Sequence, residues 1–321
     1  NKESAIFCCG TWLMRNCGFR IAYGRISTRS ISMLRWHTLR PAKDDMGIPV
    51  NRSYDKMLKQ RFFTAVIALI VVGLVLFVAP PVLARSVIAL LLLAGAWEWG
   101  GLIFTKPDKG SKGRILYTSI CFLIIAGLFT QVPETELVQL IFKIALVWWS
   151  AALVWMFFFP TPIPRALVWI CGFLVLIPAW VALDFLYRHD PALLAFALLV
   201  VWVADIGAYF VGKGFGRIKL APNISPEKSW EGVLGGLTAV ALLAGIANNF
   251  FDTDIAVLVP LCLVAAMLSV VGDLAVSMFK RNADVKDSGS LFPGHGGVLD
   301  RIDSVSAAAP LIALSLSWVG L

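Results

Sequence analysis

Between residues 62 and 320 the chain passes nine times through apolar stretches near the roughly 20 residues that a helix needs to cross about 30 Å of hydrocarbon. The stretches cover approximately 62–79, 83–104, 115–131, 137–158, 166–187, 192–212, 232–250, 255–279 and 304–320. Only Pro80-Pro81 separates the first two, so the division there is loose, and eight or ten spans are the neighbouring counts. With 59% hydrophobic and 15% charged residues, the chain lies outside the soluble range of about 45–50% apolar and 25% charged. The sequence therefore predicts an all-α polytopic membrane protein of about nine transmembrane helices. Short loops leave no room for a separate soluble domain, so any active site has to be built at helix ends.

Loop charge predicts the orientation, because Lys and Arg in short loops stay on the cytoplasmic side. On the side of the N-terminus the loops hold Lys106, Lys109, Lys112, Arg114, Arg165, Lys213, Arg217, Lys219, Lys228, Lys280, Arg281, Lys286 and Arg301. The opposite loops offer Arg85 and Arg188 against Glu134, Glu136, Asp252 and Asp254. The N-terminus is thus expected in the cytoplasm and the C-terminus outside. The net charge of +8 then sits at an anionic lipid face. Nucleic acid is not expected as a partner, since there is no soluble basic domain to hold it.

Residues 1–56 are rich in Arg and contain no 20-residue apolar run, whereas "MLKQRFFTAVIALIVV" from Met57 reads as a basic head before a first span. The expectation is an unstructured N-terminal extension over 1–56 and a transmembrane domain over 57–321, with its catalytic part at about 200–305. Cys8, Cys9 and Cys17 precede that domain, and Cys121, Cys171 and Cys262 lie singly in spans, so no metal-ligand spacing arises.

Ionisable side chains inside spans are costly and face bundle interiors or polar cavities. Three carboxylates stand out: Glu98 in "AGAWEWGG", Asp205 in "VWVADIGAYF" and Asp273 in "LSVVGDLAVSMFKR". For Glu98, reaching water or pairing with a nearby Lys explains its presence as well as function does. Two polar segments share their predicted membrane face. In the first, "GKGFGRIKLAPNISPEKSWEGVLGG", Ser225 is expected to cap a helix with Pro226 at its first position, presenting amides beside Lys228 and Ser229 as an anion site. "GKGFGR" lacks the spacing of a phosphate-cradling P-loop and reads as a flexible loop.

The second segment concentrates charge, glycine and histidine from Ser277 to Ser304. Asp273, Asp287, Asp300 and Asp303 are hard oxygen ligands suited to Mg²⁺, which takes one or two carboxylates and leaves its other positions to water and phosphate. Lys280, Arg281, Lys286 and Arg301 are phosphate partners. Gly294, Gly296 and Gly297 flank His295 and permit close backbone approach. Asp300 and Asp303 share a helix face if the last span begins there. Metal, cations and little covalent work by the protein are what polyphosphate chemistry requires.

Ser277 through Asp303 fill the pattern S-x-x-K-R-x4-K-D-x-G-x3-P-G-H-G-G-x2-D-R-x-D. This closely resembles the signature of the phosphatidate cytidylyltransferases, also called CDP-diacylglycerol synthases. "DIGAYFVGKGFGRIKLAPNISPEKSWEGVLGG" looks like that family's second characteristic region. The resemblance covers 57–321 and is densest over the C-terminal third. It implies transfer of the CMP moiety of CTP to phosphatidic acid, giving CDP-diacylglycerol and pyrophosphate for phospholipid synthesis. It also implies Mg²⁺ with a monovalent cation such as K⁺, held through Asp273, Asp300 and Asp303. Ser225, Lys228, Ser229, Asp205 and Glu231 fall in the nucleotide-binding region, Lys280, Arg281, Lys286 and Arg301 share substrate charge, and Asp287 and His295 complete the expected catalytic set.

His295 is expected to position groups and not to act as a base, because a phosphate monoester is already anionic near neutral pH. A homodimer in the bacterial inner membrane, with its site facing the cytoplasm, is also implied. Two other readings stay open at this point: a CTP-dependent lipid kinase acting on a polyprenol or similar alcohol, and an ion-coupled transporter using Glu98, Asp205 and Asp273.

Overall fold

The computed structural model describes residues 66–67, 69–104, 107–130, 136–251, 254–289 and 296–319. The chain forms two compact units, Asn1–Ile70 and Val71–Leu321. In the first, residues 66, 67, 69 and 70 are described and all are helical; the extension expected over 1–56 lies outside the described residues.

Among the described residues of the second unit, 71–77 are helical and eight long helices follow. They are α1 (Pro81–Ile103), α2 (Pro107–Phe129), α3 (Glu136–Met156), α4 (Arg165–His189), α5 (Pro191–Phe215), α6 (Trp230–Ala247), α7 (Ile255–Asn282) and α8 (Leu299–Val319). Between α5 and α6, β1 (Lys219–Ala221) and β2 (Ser225–Ser229) pair in antiparallel register. Helices predominate because hydrocarbon offers no partner to a backbone N–H or C=O, and a helix satisfies both internally.

Seven of the described helices, α1 to α7, are long and apolar enough to cross a membrane by length and composition. The sequence predicted nine spans. The first apolar run, 62–79, is described only in part, and α8, the ninth, opens on the charged Asp300, Arg301 and Asp303. The punctuation between helices is chemical. Pro81 opens α1, where a missing N–H costs nothing. Asp190 alone separates α4 from α5, and its carboxylate accepts from Ala192 N at 2.8 Å. Asp254 caps α7 in the same way at 2.9 Å.

Successive helices run in opposite directions, as the contacts of Gly100 near the end of α1 with Arg114 near the start of α2, and of Gly212 on α5 with Gly232 on α6, require, and the starts and ends of alternate helices gather at two poles. At one pole lie the ends of α1, α3, α5 and α7 and the starts of α2, α4, α6 and α8. There Trp155 on α3 packs edge-on to Phe279 on α7 at 5.9 Å, and Trp99 on α1 meets the same ring at 5.1 Å. The Trp99 indole donates to Val168 O of α4 at 2.9 Å. These three aromatics hold four helices in register beneath the polar segments.

The opposite pole accounts for the two arginines that break the loop-charge pattern. Arg85 of α1 donates to both Asp184 oxygens of α4, at 2.5 and 3.2 Å, and to the terminal carbonyl of Phe129 on α2 at 2.5 Å. Arg188 pairs with Asp184 at 3.0 Å and reaches the same Phe129 carbonyl at 2.5 Å. The guanidinium of Arg85 also lies 3.9 Å from the centre of the Phe129 ring. One carboxylate and one helix-end carbonyl thus absorb two cations in a largely buried knot. These arginines join helices.

Candidate active site

Two close helix contacts create the site. Along α5 and α6, a Cβ on Gly236 would collide with the Ala204 carbonyl, and one on Gly232 with the Ala208 carbonyl, so only small residues permit this approach. Along α7 and α8, a Cβ on Gly272 would strike the Asp303 carbonyl and the Ala307 methyl. Gly272 immediately precedes Asp273. Backbone contact at that point therefore brings the Asp273 and Asp303 carboxylates, on different helices, within electrostatic reach of each other. Asp205 on α5 feels Asp273 as well.

The hairpin delivers the cation. The sequence reading placed the helix cap at Ser225 with Pro226 in the first turn; the structure corrects this by one helical turn. Ser225–Ser229 is extended in β2, and the cap is Ser229, whose Oγ accepts from Gly232 N at 3.2 Å. Pairing with β1 keeps these residues extended, and Pro226 is tolerated because a two-stranded sheet leaves one edge of each strand free of ladder bonds. Trp230 N then closes the hairpin on Ile218 O at 2.9 Å. Lys228, on β2, reaches across to α7 and places its ammonium 2.5 Å from Asp273 Oδ2. Its charge also acts on Asp205 and Asp303.

On α7, Ser277 Oγ donates to the other Asp273 oxygen at 3.3 Å. Lys280, one turn further, is buried and donates to Asp300 Oδ1 at 2.7 Å. Arg281 turns to the hairpin and binds Ile224 O at 3.1 Å. Asp300 is fully engaged: its Oδ2 accepts from Ser288 N at 3.1 Å and Gly297 N at 3.0 Å. Gly296, at φ +80°, lies so close to this carboxylate that a Cβ would come within 2.9 Å of Oδ2. A glycine is needed there for conformation and for space.

The remaining candidates separate by position. Arg301 is exposed in the first turn of α8 and interacts electrostatically with Asp205. Lys286 and Asp287 are exposed on the segment between α7 and α8. Glu231 is half-buried, and both its oxygens accept from Ile218 N, at 3.1 and 3.2 Å, so it ties the start of the hairpin to α6. His295 and Gly294 lie outside the described residues.

Glu98, which sequence reasoning left evenly divided between roles, proves to be an anchor. It is buried on α1, where its Oε1 accepts from Val298 N at 3.0 Å and its Oε2 from Leu299 N and Ser288 Oγ, both at 2.8 Å. Its burial within "AGAWEWGG" was the only signal in the sequence; the partners lie about 200 residues away.

Among the described residues no three His, Cys, Asp or Glu side chains are grouped to hold an ion by themselves. Magnesium does not require that many, since one or two carboxylates suffice when phosphate and water complete the shell. Asp273 and Asp303 supply such a pair of hard donors, and a cation, the Lys228 ammonium, already rests on Asp273. The residues fit the metal.

Residues 59–319 match the model of the cytidylyltransferase family. The chain belongs to that family. It is 39% identical over 273 residues to a protein of Pseudomonas aeruginosa named phosphatidate cytidylyltransferase, covering 82% of this chain and 97% of the relative. A protein of the same name from Haemophilus influenzae is 37% identical over 287 residues, covering 80% of this chain and 98% of that one. A third, from Staphylococcus saprophyticus, is 41% identical over 145 residues, or 43% of this chain. Within the cytidylyltransferase match, the hairpin and the α7–α8 segment are the two regions that the sequence singled out, and the hairpin meets α7 through Lys228 and Asp273.

Proposed function

We infer that the chain is a phosphatidate cytidylyltransferase, transferring the CMP moiety of CTP to phosphatidic acid and releasing pyrophosphate. The observation that carries this reading is the convergence of Lys228 on Asp273 at the pole where Lys280, Arg281, Arg301 and Asp303 also gather. In the reaction, a phosphate oxygen of phosphatidate attacks the α-phosphorus of CTP. The bond from that phosphorus to the β-bridging oxygen breaks, and its electron pair leaves with pyrophosphate. No general base is required, since the attacking phosphate is already anionic.

Asp273 and Asp303 are the residues that would hold Mg²⁺. When bound, this ion supplies charge neutralisation on the triphosphate and polarisation of the α-phosphoryl group. Lys228 is placed to exchange Asp273 for a phosphate oxygen when nucleotide arrives. Lys280 is oriented by Asp300 and carries positive charge to the buried side of the site. Ser229 spends its hydroxyl on the helix cap, so its contribution to nucleotide binding is to fix Lys228. We further propose that a monovalent cation such as K⁺ assists, that the protein is a homodimer in the inner membrane, and that the site faces the cytoplasm, in keeping with the lysines and arginines of the loops at this pole.

The test is product analysis with purified protein, CTP and phosphatidic acid. Label in the α-phosphate of CTP should enter the lipid while pyrophosphate is released. Label entering from the γ-phosphate identifies a lipid kinase instead. Uptake of a solute into sealed vesicles without CTP turnover identifies a transporter.

A further inference from the structure

We propose that Glu98 is a positioning residue: from α1 it caps the N-terminus of α8 and ties Ser288 of the α7–α8 segment to that cap, setting where Asp300, Arg301 and Asp303 stand relative to Asp273. The proposal rests on the cytidylyltransferase reading of that site.

Helix α8 cannot cap itself. Val298, whose carbonyl begins the helix by accepting from Arg301 N and Ile302 N, has no side-chain acceptor for the free amides of the first turn. Glu98 supplies one from another helix. Its carboxylate takes the Val298 and Leu299 amides, and a negative charge at a helix N-terminus is favoured by the helix dipole.

The same carboxylate holds Ser288 through its hydroxyl, while Asp300 holds Ser288 through its amide. Asp300 takes the Gly297 amide as well, so the two carboxylates between them hold Ser288, Gly297, Val298 and Leu299. A Cβ on either Gly289 or Gly297 would strike Glu98, so the chain packs directly on the carboxylate from both sides. Three of the site's charged residues sit within five positions of the amides that Glu98 holds. Any rotation of the first turn of α8 moves all three.

Glu98→Gln is the informative substitution because it keeps shape and volume. An amide has one acceptor oxygen, so in either orientation its NH2 faces at least one of the two backbone N–H groups. The loss of a charge-assisted, buried hydrogen bond predicts a fall of about tenfold or more in kcat/KM for CTP, measured by pyrophosphate release well below the melting temperature. Amide hydrogen exchange in the ligand-free protein should accelerate in the peptide spanning 286–300 and remain unchanged in α4.

Asp184→Asn, at the opposite pole, is the comparison. It should lower the melting temperature while leaving kcat/KM and exchange over 286–300 as in the wild type, which is the pattern of a purely structural carboxylate. If Glu98→Gln prevents insertion, Ser288→Ala removes one of the three donors and should still reduce kcat/KM about threefold.

A folded Glu98→Gln protein with wild-type kinetics and wild-type exchange overturns the proposal, and so does an unaffected Ser288→Ala where the first variant cannot be made. A wild-type chain that releases no pyrophosphate from CTP and phosphatidic acid overturns the functional reading beneath it.

Discussion

The ammonium of Lys228 lies 2.5 Å from Asp273, joining a β-hairpin to the third turn from the end of a membrane-spanning helix. This pair is partly open to solvent, with both side chains just over one-quarter exposed. It is therefore available for exchange: a polyanion can take the lysine and a divalent cation the aspartate. Lys228→Ala should lower kcat/KM for CTP by about two orders of magnitude, as expected for a lost charge-assisted phosphate contact in a site of low dielectric. Steady-state pyrophosphate release against CTP concentration measures it, and a change below about threefold would remove Lys228 from the nucleotide site.

Asp273→Asn should abolish turnover at ordinary Mg²⁺, with part of the rate returning as Mg²⁺ is raised, because a neutral amide binds the ion weakly but keeps the shape. An active variant with unaltered Mg²⁺ dependence would place the metal elsewhere. Removing divalent cations from the wild type with a chelator should stop pyrophosphate release, and Mg²⁺ should restore it.

Asp300→Asn should retain less than about a tenth of the rate. The variant should also be less stable, since Lys280 is buried and loses its charged partner. Breaking a buried ion pair on one side costs about 3–5 kcal/mol. Thermal unfolding in detergent reads the second effect independently of the first; an unchanged melting temperature would mean that Lys280 finds another partner.

Ser229→Ala should destabilise α6 by about 1 kcal/mol through the lost cap, whereas Ser225→Ala should do so by less than half as much. Equal effects would contradict the observed position of the cap.

The helical architecture was legible because hydrocarbon imposes a single rule on the backbone, and long apolar runs obey it. The cap was misplaced because Ser225-Pro226 and Ser229-Trp230 are both acceptable starts locally. The choice between them is made by β1, whose three residues carry no strong strand pattern. The acidic and basic residues of the α7–α8 segment were readable from their density. Their partition was not: Asp300 and Asp303 look equivalent by spacing, yet one is occupied by a lysine and two amides while the other accepts from the Ser304 amide and lies within electrostatic reach of Asp273. That distinction comes from Gly272, which lets two helices touch, and from Glu98, which arrives from a distant one.

The knot of Arg85, Asp184, Arg188 and Phe129 has a consequence in time. Arg85 leaves the ribosome 99 residues before Asp184. At a synthesis rate of about 20 residues per second, roughly 5 s pass before the arginine at the start of α1 can meet the carboxylate that it binds in the folded chain. The opening hairpin of helices is consequently a provisional assembly during biogenesis. It becomes permanent only when the end of α4 arrives, so the order in which the chain is made is also the order in which it is locked.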